Sequence, residues 1–422
     1  QFIKRGMRMS LIKPLAGVRP VKDKAEEVAA PPYDVLNSAE AKVLVEGHPL
    51  SFLHISKAEI DLPEGTDPYD PSVYQKAAEN FAALRNQKVL IQEDKPVYYV
   101  YRLTMGAHVQ TGLVATASVE AYDINRVRKH EFTRPMKEDD RVNQVDALNA
   151  QTGPVFLVYK QHQVVDQILA DTTQSEPEYN IVAEGGVRHE IWVLSDDAKI
   201  NTITDAFDAM DAIYVADGHH RSAAGSRVGA MRKANNANHT GDESYNYFLS
   251  VIFPDNQMQI LDYNRVITSL NGLSKDELIA KISESFSVNA VDGALKPSRI
   301  NQYGMYVQGQ WYELVINSNL VPDTSDPVGR LDISLLANHL IEPILGISDP
   351  RTDKRIDFVG GIRGMKELEK RVDSGEMAVA FSVFATRMED LMSVADANEV
   401  MPPKSTWFEP KLADGLVSHV LD

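Results

Sequence analysis

The chain has 422 residues, 43% hydrophobic and 24% charged, with no cysteine and a formal net charge of −17 at pH 7. These values describe a folded globular protein long enough for two or three domains. They exclude disulfides, zinc–thiolate centres and thiol catalysis, and they argue against nucleic acid or an anionic membrane as partner, since phosphate contacts need a basic face. A local basic pocket for a small anion remains compatible with that charge. No apolar run reaches membrane-spanning length, and the opening "QFIKRGMRMS" has no apolar signal core, so a cytoplasmic location is expected. The number of chains in the assembly is not legible from the sequence.

In chain order, Ser38 is expected to cap a helix to about Val45, "SFLHIS" reads as a strand, and a helix runs from about Ser72 to Gln87. Strands follow in "PVYYVYRLTM", "VQTGLVATASVEAY" and "PVFLVYK". Between the last two lies a polar stretch from Asp123 to Pro154, too long for an idle loop, and so helical or functional. Next come strand "HEIWVL", a helix over Asp197–Met210 and an apolar strand, Ala212–Ala216.

The segments "YNYFLSVIFP" and "MQILDYNRVI" suggest a hairpin around Pro254–Gln257. A capping box at Ser274–Glu277 opens a helix to about Phe286, and "YGMYVQGQWYELVI" forms a second hairpin. "DISLLANHLIEPIL" reads as an amphipathic helix and "AVAFSVFAT" as a buried strand, followed by a capping box at Thr386–Glu389. The mixed order of strands and helices indicates an α+β fold. Three parts are expected: an N-terminal α/β part over 10–90, a mostly β insertion with a charged loop over 91–200, and an α+β part over 201–422.

Four stretches carry residues suited to chemistry. In "ADGHHRSAAG", Asp217, Gly218, His219, His220 and Arg221 stand between a strand and a helix. A glycine there lets a ligand approach the backbone, the helix N-terminus favours an anion, and the Arg221 fork suits phosphate or carboxylate. A pair of core histidines beside a structural salt bridge is the plainer alternative. In "KHEFTRP", His130, Glu131 and Arg134 combine an acid–base group with anion-binding types, although a solvated charged loop explains them equally well.

In "AAPPYDVL", two prolines aim Tyr33 and Asp34 at one place, or Asp34 merely caps a tight loop. In "PPKSTWFEPKL", Lys404, Ser405, Thr406 and Lys411 offer charge and hydroxyls beside Trp407 and Phe408, or the aromatics simply pack a tail. The P-loop, H-E-x-x-H, G-x-S-x-G and protein-kinase signatures are absent, and the glycines of "DFVGGIRG" are too loosely spaced for a dinucleotide fingerprint.

Taken in order, "VAAPPYDVL", "HEFTRP", "ADGHHR", "NRVI" and "PPKSTWFEPKLADGLV" resemble the domain-of-unknown-function family number 1015 over nearly the whole chain. The strand–Asp217-Gly218-His219-His220-Arg221–helix turn also resembles the phosphate site of the ParB/sulfiredoxin superfamily, which includes free-serine kinases using ADP or ATP. "IKPLAGVRPVKD" is similar to the first strand of that fold, which implies a large insertion before the turn. Where sulfiredoxins carry their catalytic cysteine this chain has His219, so their sulfinic-acid reduction is excluded.

The resemblance implies a phosphotransferase moving phosphate between ATP or ADP and a small hydroxylated metabolite, with Mg²⁺. Gly218, His219, His220 and Arg221 would bind the nucleotide phosphates, and Asp217 would hold the metal or the substrate. Asp34, or else Glu131, would act as base, with His219 also among the catalytic groups. Tyr33, His130, Arg134, Lys404, Ser405, Thr406 and Lys411 would bind the small phosphate-bearing or acceptor ligand. A nucleotide or phosphoester hydrolase and a non-catalytic sensor of nucleotide or amino acid use the same parts.

Overall fold

A computed structural model describes residues 10–422, so nearly all of the opening stretch read for a signal core lies outside the described residues. The fold is α+β, as the sequence indicates. Contacts group the chain into two compact units: everything up to Met258 together with Pro410–Asp422, and Gln259–Glu409. The three-part division is thereby replaced, because strands on both sides of residues 90 and 200 share one sheet.

The first unit is built on a nine-stranded mixed sheet: β1 (Ile12–Lys13), β2 (Tyr98–Met105), β3 (His108–Ser118), β4 (Val127–Arg128), β5 (Val155–Tyr159), β6 (Tyr179–Val182), β7 (Arg188–Leu194), β8 (Ile213–Asp217) and β9 (Tyr247–Pro254). Their order is β4-β8-β5-β9-β3-β2-β7-β6, with β1 pairing β3. β5 and β9 run parallel, as do β4 and β8, while the other pairs are antiparallel. The central strands are continuous apolar runs because both faces are covered. Leu113, Leu157, Val215 and Ile252 meet Ile203 and Phe207 in one core.

Helices α1 (Ser38–Leu44), α2 (Pro71–Asn86), α3 (Pro135–Leu148), α4 (Gln163–Thr172), α5 (Asp197–Asp208) and α6 (His219–Ala234) belong to this unit. α1 is capped by Asn37, not Ser38, in a capping box with Glu40. "SFLHIS" is not a strand: Leu53–Ser56 is a short helix, because Phe52, Leu53 and Ile55 all turn into one core against Ala77 and Phe81. The polar stretch after β3 folds mainly as α3, which lies along α6 through Val142, Ala224 and Val228 and through ion pairs of Arg227 with Glu138 and Asp139. Gly229 permits the close approach of α6, since a Cβ there would stand 2.8 Å from the Tyr245 carbonyl.

The second unit holds a six-stranded antiparallel sheet of β10 (Tyr263–Ile267), β11 (Phe286–Val291), β12 (Gln302–Val307), β13 (Gln310–Ile316), β14 (Ile356–Gly360) and β15 (Val379–Val383), in the order β11-β13-β12-β15-β10-β14. Its core centres on Phe286, Tyr303, Leu314, Leu340 and Phe381. The hairpin at Pro254–Gln257 does not form, because β9 and β10 are recruited by different sheets. The hairpin of β12 and β13 is present. The capping box at Ser274–Glu277 is also present, and its helix ends at Ile282, short of Phe286.

"DISLLANHLIEPIL" begins as an α-helix at Asp332–Leu336 and widens into a π turn over Ala337–Ile341. Thr386 caps nothing: Arg387 precedes the helix Met388–Asp396, and the Thr386 hydroxyl donates instead to the Ser405 carbonyl at 2.8 Å. Among the described residues, no helix is long and apolar enough to cross a membrane.

Candidate functional site

The site grows from the end of β8. Val215 pairs with Leu157 and Asp217 with Phe156, so Ala216 is an extra residue and the strand bulges where the acidic side chain leaves it. A bulge of this kind re-aims the side chain that follows. Gly218 then takes φ 95°, ψ 33° as the residue before α6. An L side chain is strained in that conformation, and its Cβ would also meet Arg221 Nε at 3.2 Å. The first bond inside α6 runs from the Ser222 N–H to the Gly218 carbonyl at 3.0 Å. The N–H groups of His219, His220 and Arg221 therefore have no acceptor within the helix, and they sit at its positive dipole end.

Charge is concentrated around this turn. One Asp217 oxygen accepts the Gly218 N–H at 2.8 Å and the other accepts Lys411 Nζ at 3.1 Å. Burial would raise the Asp217 pKa, but Lys411 and Arg221 outweigh it and hold the carboxyl well below its usual range. Arg221 donates from Nη1 to the Pro154 carbonyl at 2.6 Å. Burial opposes its charge, yet Asp34, Asp217, Tyr33 and Asp414 together keep its pKa raised.

Asp414 is 2% exposed, and its Oδ1 has no hydrogen-bond partner. Burial, reinforced by Asp34, pushes it up to about 7 against the pull of Arg221 and Arg141. Backbone bonds between Ala30 and Asp414 at 2.9 and 3.1 Å tie its segment to the Pro31–Asp34 segment.

The three histidines divide between two roles. His220 Nε2 accepts the Arg134 N–H at 3.0 Å, so Arg134 is fixed through its backbone at the residue before α3. His219 and His130 turn inward and are 4% and 2% exposed, with ring centroids 4.4 Å apart at 88°. His219 Nε2 accepts the His130 N–H at 3.3 Å. Burial lowers both imidazoles, His130 to about 4 and His219 well below the usual value, so both are neutral at physiological pH. Glu131 Oε2 stands 3.7 Å from His219 Nδ1. The His219 ring is thus engaged by His130 and Glu131, and its backbone N–H is the group it leaves at the helix start.

The first unit also holds a cavity of about 210 Å³ whose lining includes Tyr33, Asp34, Tyr74, Lys137, Asp140 and Arg141. The Arg141 guanidinium lies 3.9 Å over the Tyr33 ring and bonds Asp140 through Nε at 3.0 Å and Nη2 at 2.6 Å. Tyr33 and Asp34 connect this cavity to the turn, since both act electrostatically on Arg221.

Tyr33, Asp34, His130, Glu131, Arg134, Asp217–Arg221 and Lys411 all lie in the first unit. Lys404, Ser405 and Thr406 lie in the second. There the Lys404 carbonyl accepts Arg265 Nη2 at 3.0 Å, Lys404 Nζ stands 5.7 Å from the Tyr263 ring centroid, and the Ser405 hydroxyl donates to the Pro402 carbonyl. These contacts are internal to that unit. Each Asp217 oxygen accepts one hydrogen bond and keeps a further lone pair.

Asp414 was not singled out from the sequence. It precedes Gly415, at φ +94°, as Asp217 precedes Gly218. The model of a protein family described as "Protein of unknown function (DUF1015)" matches residues 12–334. The chain belongs to that family. No curated protein matches it.

Among solved structures it is similar to a free serine kinase mutant in complex with AMP, at 12% identity and TM-score 0.34, covering 76% of this chain and 93% of that one. A conserved hypothetical protein from Pyrococcus furiosus is 14% identical with TM-score 0.32, over 72% and 94% of the two chains. C-terminally truncated SbnI from Staphylococcus aureus is 11% identical with TM-score 0.29, over 72% and 86%.

Proposed function

We propose that this member of the DUF1015 family is a phosphotransferase, moving phosphate from a nucleotide to the hydroxyl of a small metabolite. The observation that carries the reading is the junction of two subsites. A helix start with three backbone N–H groups, Arg221 and Lys411 is linked, through the electrostatic pull of Asp34 on Arg221, to a cavity that Asp34 lines. The first subsite suits phosphate oxygens through backbone N–H groups and a guanidinium. The cavity, at about 210 Å³, is below the roughly 300–1,000 Å³ of drug-sized sites, which suits an acceptor of amino-acid size.

Within it, Lys57 pairs with Glu59 and Arg141 with Asp140. Asp34 and Lys137 have no ion pair among the described residues.

In this mechanism Gly218–Arg221 hold the nucleotide phosphates, and the nucleotide enters as its Mg²⁺ complex. Asp217 keeps Lys411 pointed at the turn. The acceptor hydroxyl oxygen attacks the terminal phosphorus, its proton passes to the Asp34 carboxylate, and the bond to the leaving phosphate breaks. Arg221 and Lys411 neutralise the charge that develops on the phosphoryl oxygens. Positioning and charge neutralisation supply most of the acceleration such a reaction needs.

The test is phosphorus NMR of the whole protein with Mg²⁺, ATP or ADP, and L-serine. A phosphoserine resonance that requires both serine and Asp34 is the expected result. Nucleotide loss independent of any hydroxyl compound would replace the reading by hydrolysis.

A further inference from the structure

The mechanism makes no use of the two buried imidazoles or of Glu131, yet the fold brings them together from two segments 89 positions apart. One nitrogen of His130, one of His219 and a carboxylate oxygen of Glu131 all lie within 4.8 Å of one another. His130 is held through the Val215 backbone, while its Nδ1 is buried with no hydrogen-bond partner. A lone pair left unsatisfied in the interior is costly. Such a cost persists where something else takes up the lone pair.

We propose that His130, His219 and Glu131 form a binding site for one divalent transition cation of the Zn²⁺ or Mn²⁺ type. Two imidazole nitrogens and one carboxylate are a donor set for those ions, whereas Mg²⁺ and Ca²⁺ prefer oxygen throughout. Glu131 is exposed, and a carboxylate on a mobile stem closes the distance to the ion. The Nδ1 of His219 becomes a ligand when its ring proton moves to Nε2, and the His130 N–H bond to Nε2 is given up. At 3.3 Å that bond is beyond the usual 2.7–3.2 Å range and is weak. Three protein ligands leave a coordination position for water or for an oxygen of a bound ligand.

The site is independent of the nucleotide reading, and its test involves no turnover. The whole chain, treated with chelator and desalted, is titrated with Co²⁺ as a spectroscopic probe, and Zn²⁺ stoichiometry is measured by elemental analysis. The expected result is one equivalent of Co²⁺ with visible ligand-field bands that Zn²⁺ displaces. Glu131→Gln, judged folded by its metal-free melting, should lose at least the roughly 10- to 100-fold in affinity that removal of an outer partner of a ligand already costs. His130→Gln should lose the bands, while Asp217→Asn keeps them. Absence of bands in the wild type would overturn the proposal. So would bands that survive in Glu131→Gln and His130→Gln, or that depend on Asp217 instead.

Discussion

Lys411 and Asp217 are joined at 3.1 Å although 194 positions separate them along the chain. The bond fastens the returning C-terminal segment to the turn that opens α6, and it sets the charge state of the Asp217 carboxyl. Because the folded pKa lies below the ordinary 3.8, the pair contributes stability above that value and loses it as pH falls through the folded pKa.

We therefore expect Lys411→Met to lose about 1–2 kcal/mol at pH 7, between the values for exposed and buried pairs since both side chains are partly exposed. The deficit should shrink as pH is lowered below about 3.8. Urea titrations of both proteins across that range check the sign.

Gly218→Ala tests whether the turn's geometry is needed. The left-handed backbone costs a side chain roughly 1–2 kcal/mol, and the added Cβ displaces the Arg221 guanidinium from 3.2 Å. Melting should drop modestly while nucleotide affinity, measured by calorimetry, falls at least about tenfold, the equivalent of 1.4 kcal/mol. Unchanged affinity would mean that phosphate does not bind at this helix start.

Asp414→Asn should alter the pH dependence of stability. The folded carboxyl titrates near 7 and the unfolded one at 3.8, so between those values the native state binds the extra proton. Native stability then decreases as pH rises through that window, by up to about 1.4 kcal/mol per pH unit for one proton. Above pH 7 this contribution is flat. The Asn variant should lack this slope, so its stability relative to the wild type should increase from pH 4 to pH 8. Denaturant titrations at those two pH values, with the difference compared, decide it.

How far the sequence reveals this arrangement can be judged residue by residue. The Asp217–Arg221 turn was legible because an apolar strand, a glycine and a helix start are all local patterns. Tyr33, Asp34 and Lys411 are nameable only through their motifs, since what brings them to the turn is long-range: the Lys411–Asp217 bond and the Ala30–Asp414 backbone bridge. Lys404 and Lys411 look alike in one short motif, yet the boundary between the two units falls between them. Asp414 is not legible in this way, because nothing in a sequence marks an acidic residue as buried. "SFLHIS" is ambiguous for a related reason: three apolar residues in six fit a strand or a buried helical turn equally.

Arg221→Ala should be more costly than loss of a ligand contact alone. Its Nη1 donates to the Pro154 carbonyl at 2.6 Å, and the side chain stands among Asp34, Asp217 and Asp414. Removing it leaves the buried Asp414 carboxyl, 2% exposed, without the guanidinium that opposes its burial, a loss of about 3 kcal/mol or more. We expect reduced stability together with lost nucleotide binding. Arg221→Lys, keeping charge but not the fork, should restore most of the stability and little of the affinity. Melting and calorimetry on the two variants separate the structural part from the binding part.

Asp34 and Glu131 are the two carboxylates that compete for the role of base, and their positions separate them. Asp34 lines the cavity and acts on Arg221, whereas Glu131 Oε2 stands beside His219 Nδ1 at 3.7 Å. A base must reach the acceptor hydroxyl, and Asp34 lines a cavity in which an acceptor of amino-acid size fits. Asp34→Asn should therefore leave nucleotide affinity within about twofold and reduce single-turnover phosphate transfer by roughly 10²–10⁴-fold, the usual worth of general base catalysis. Asp34 is exposed, so the variant should melt as the wild type does. Glu131→Gln should spare transfer in chelator-treated protein. If instead Glu131→Gln abolishes transfer and Asp34→Asn does not, the acceptor sits on the histidine side of the turn and the cavity beside Tyr33 serves another purpose.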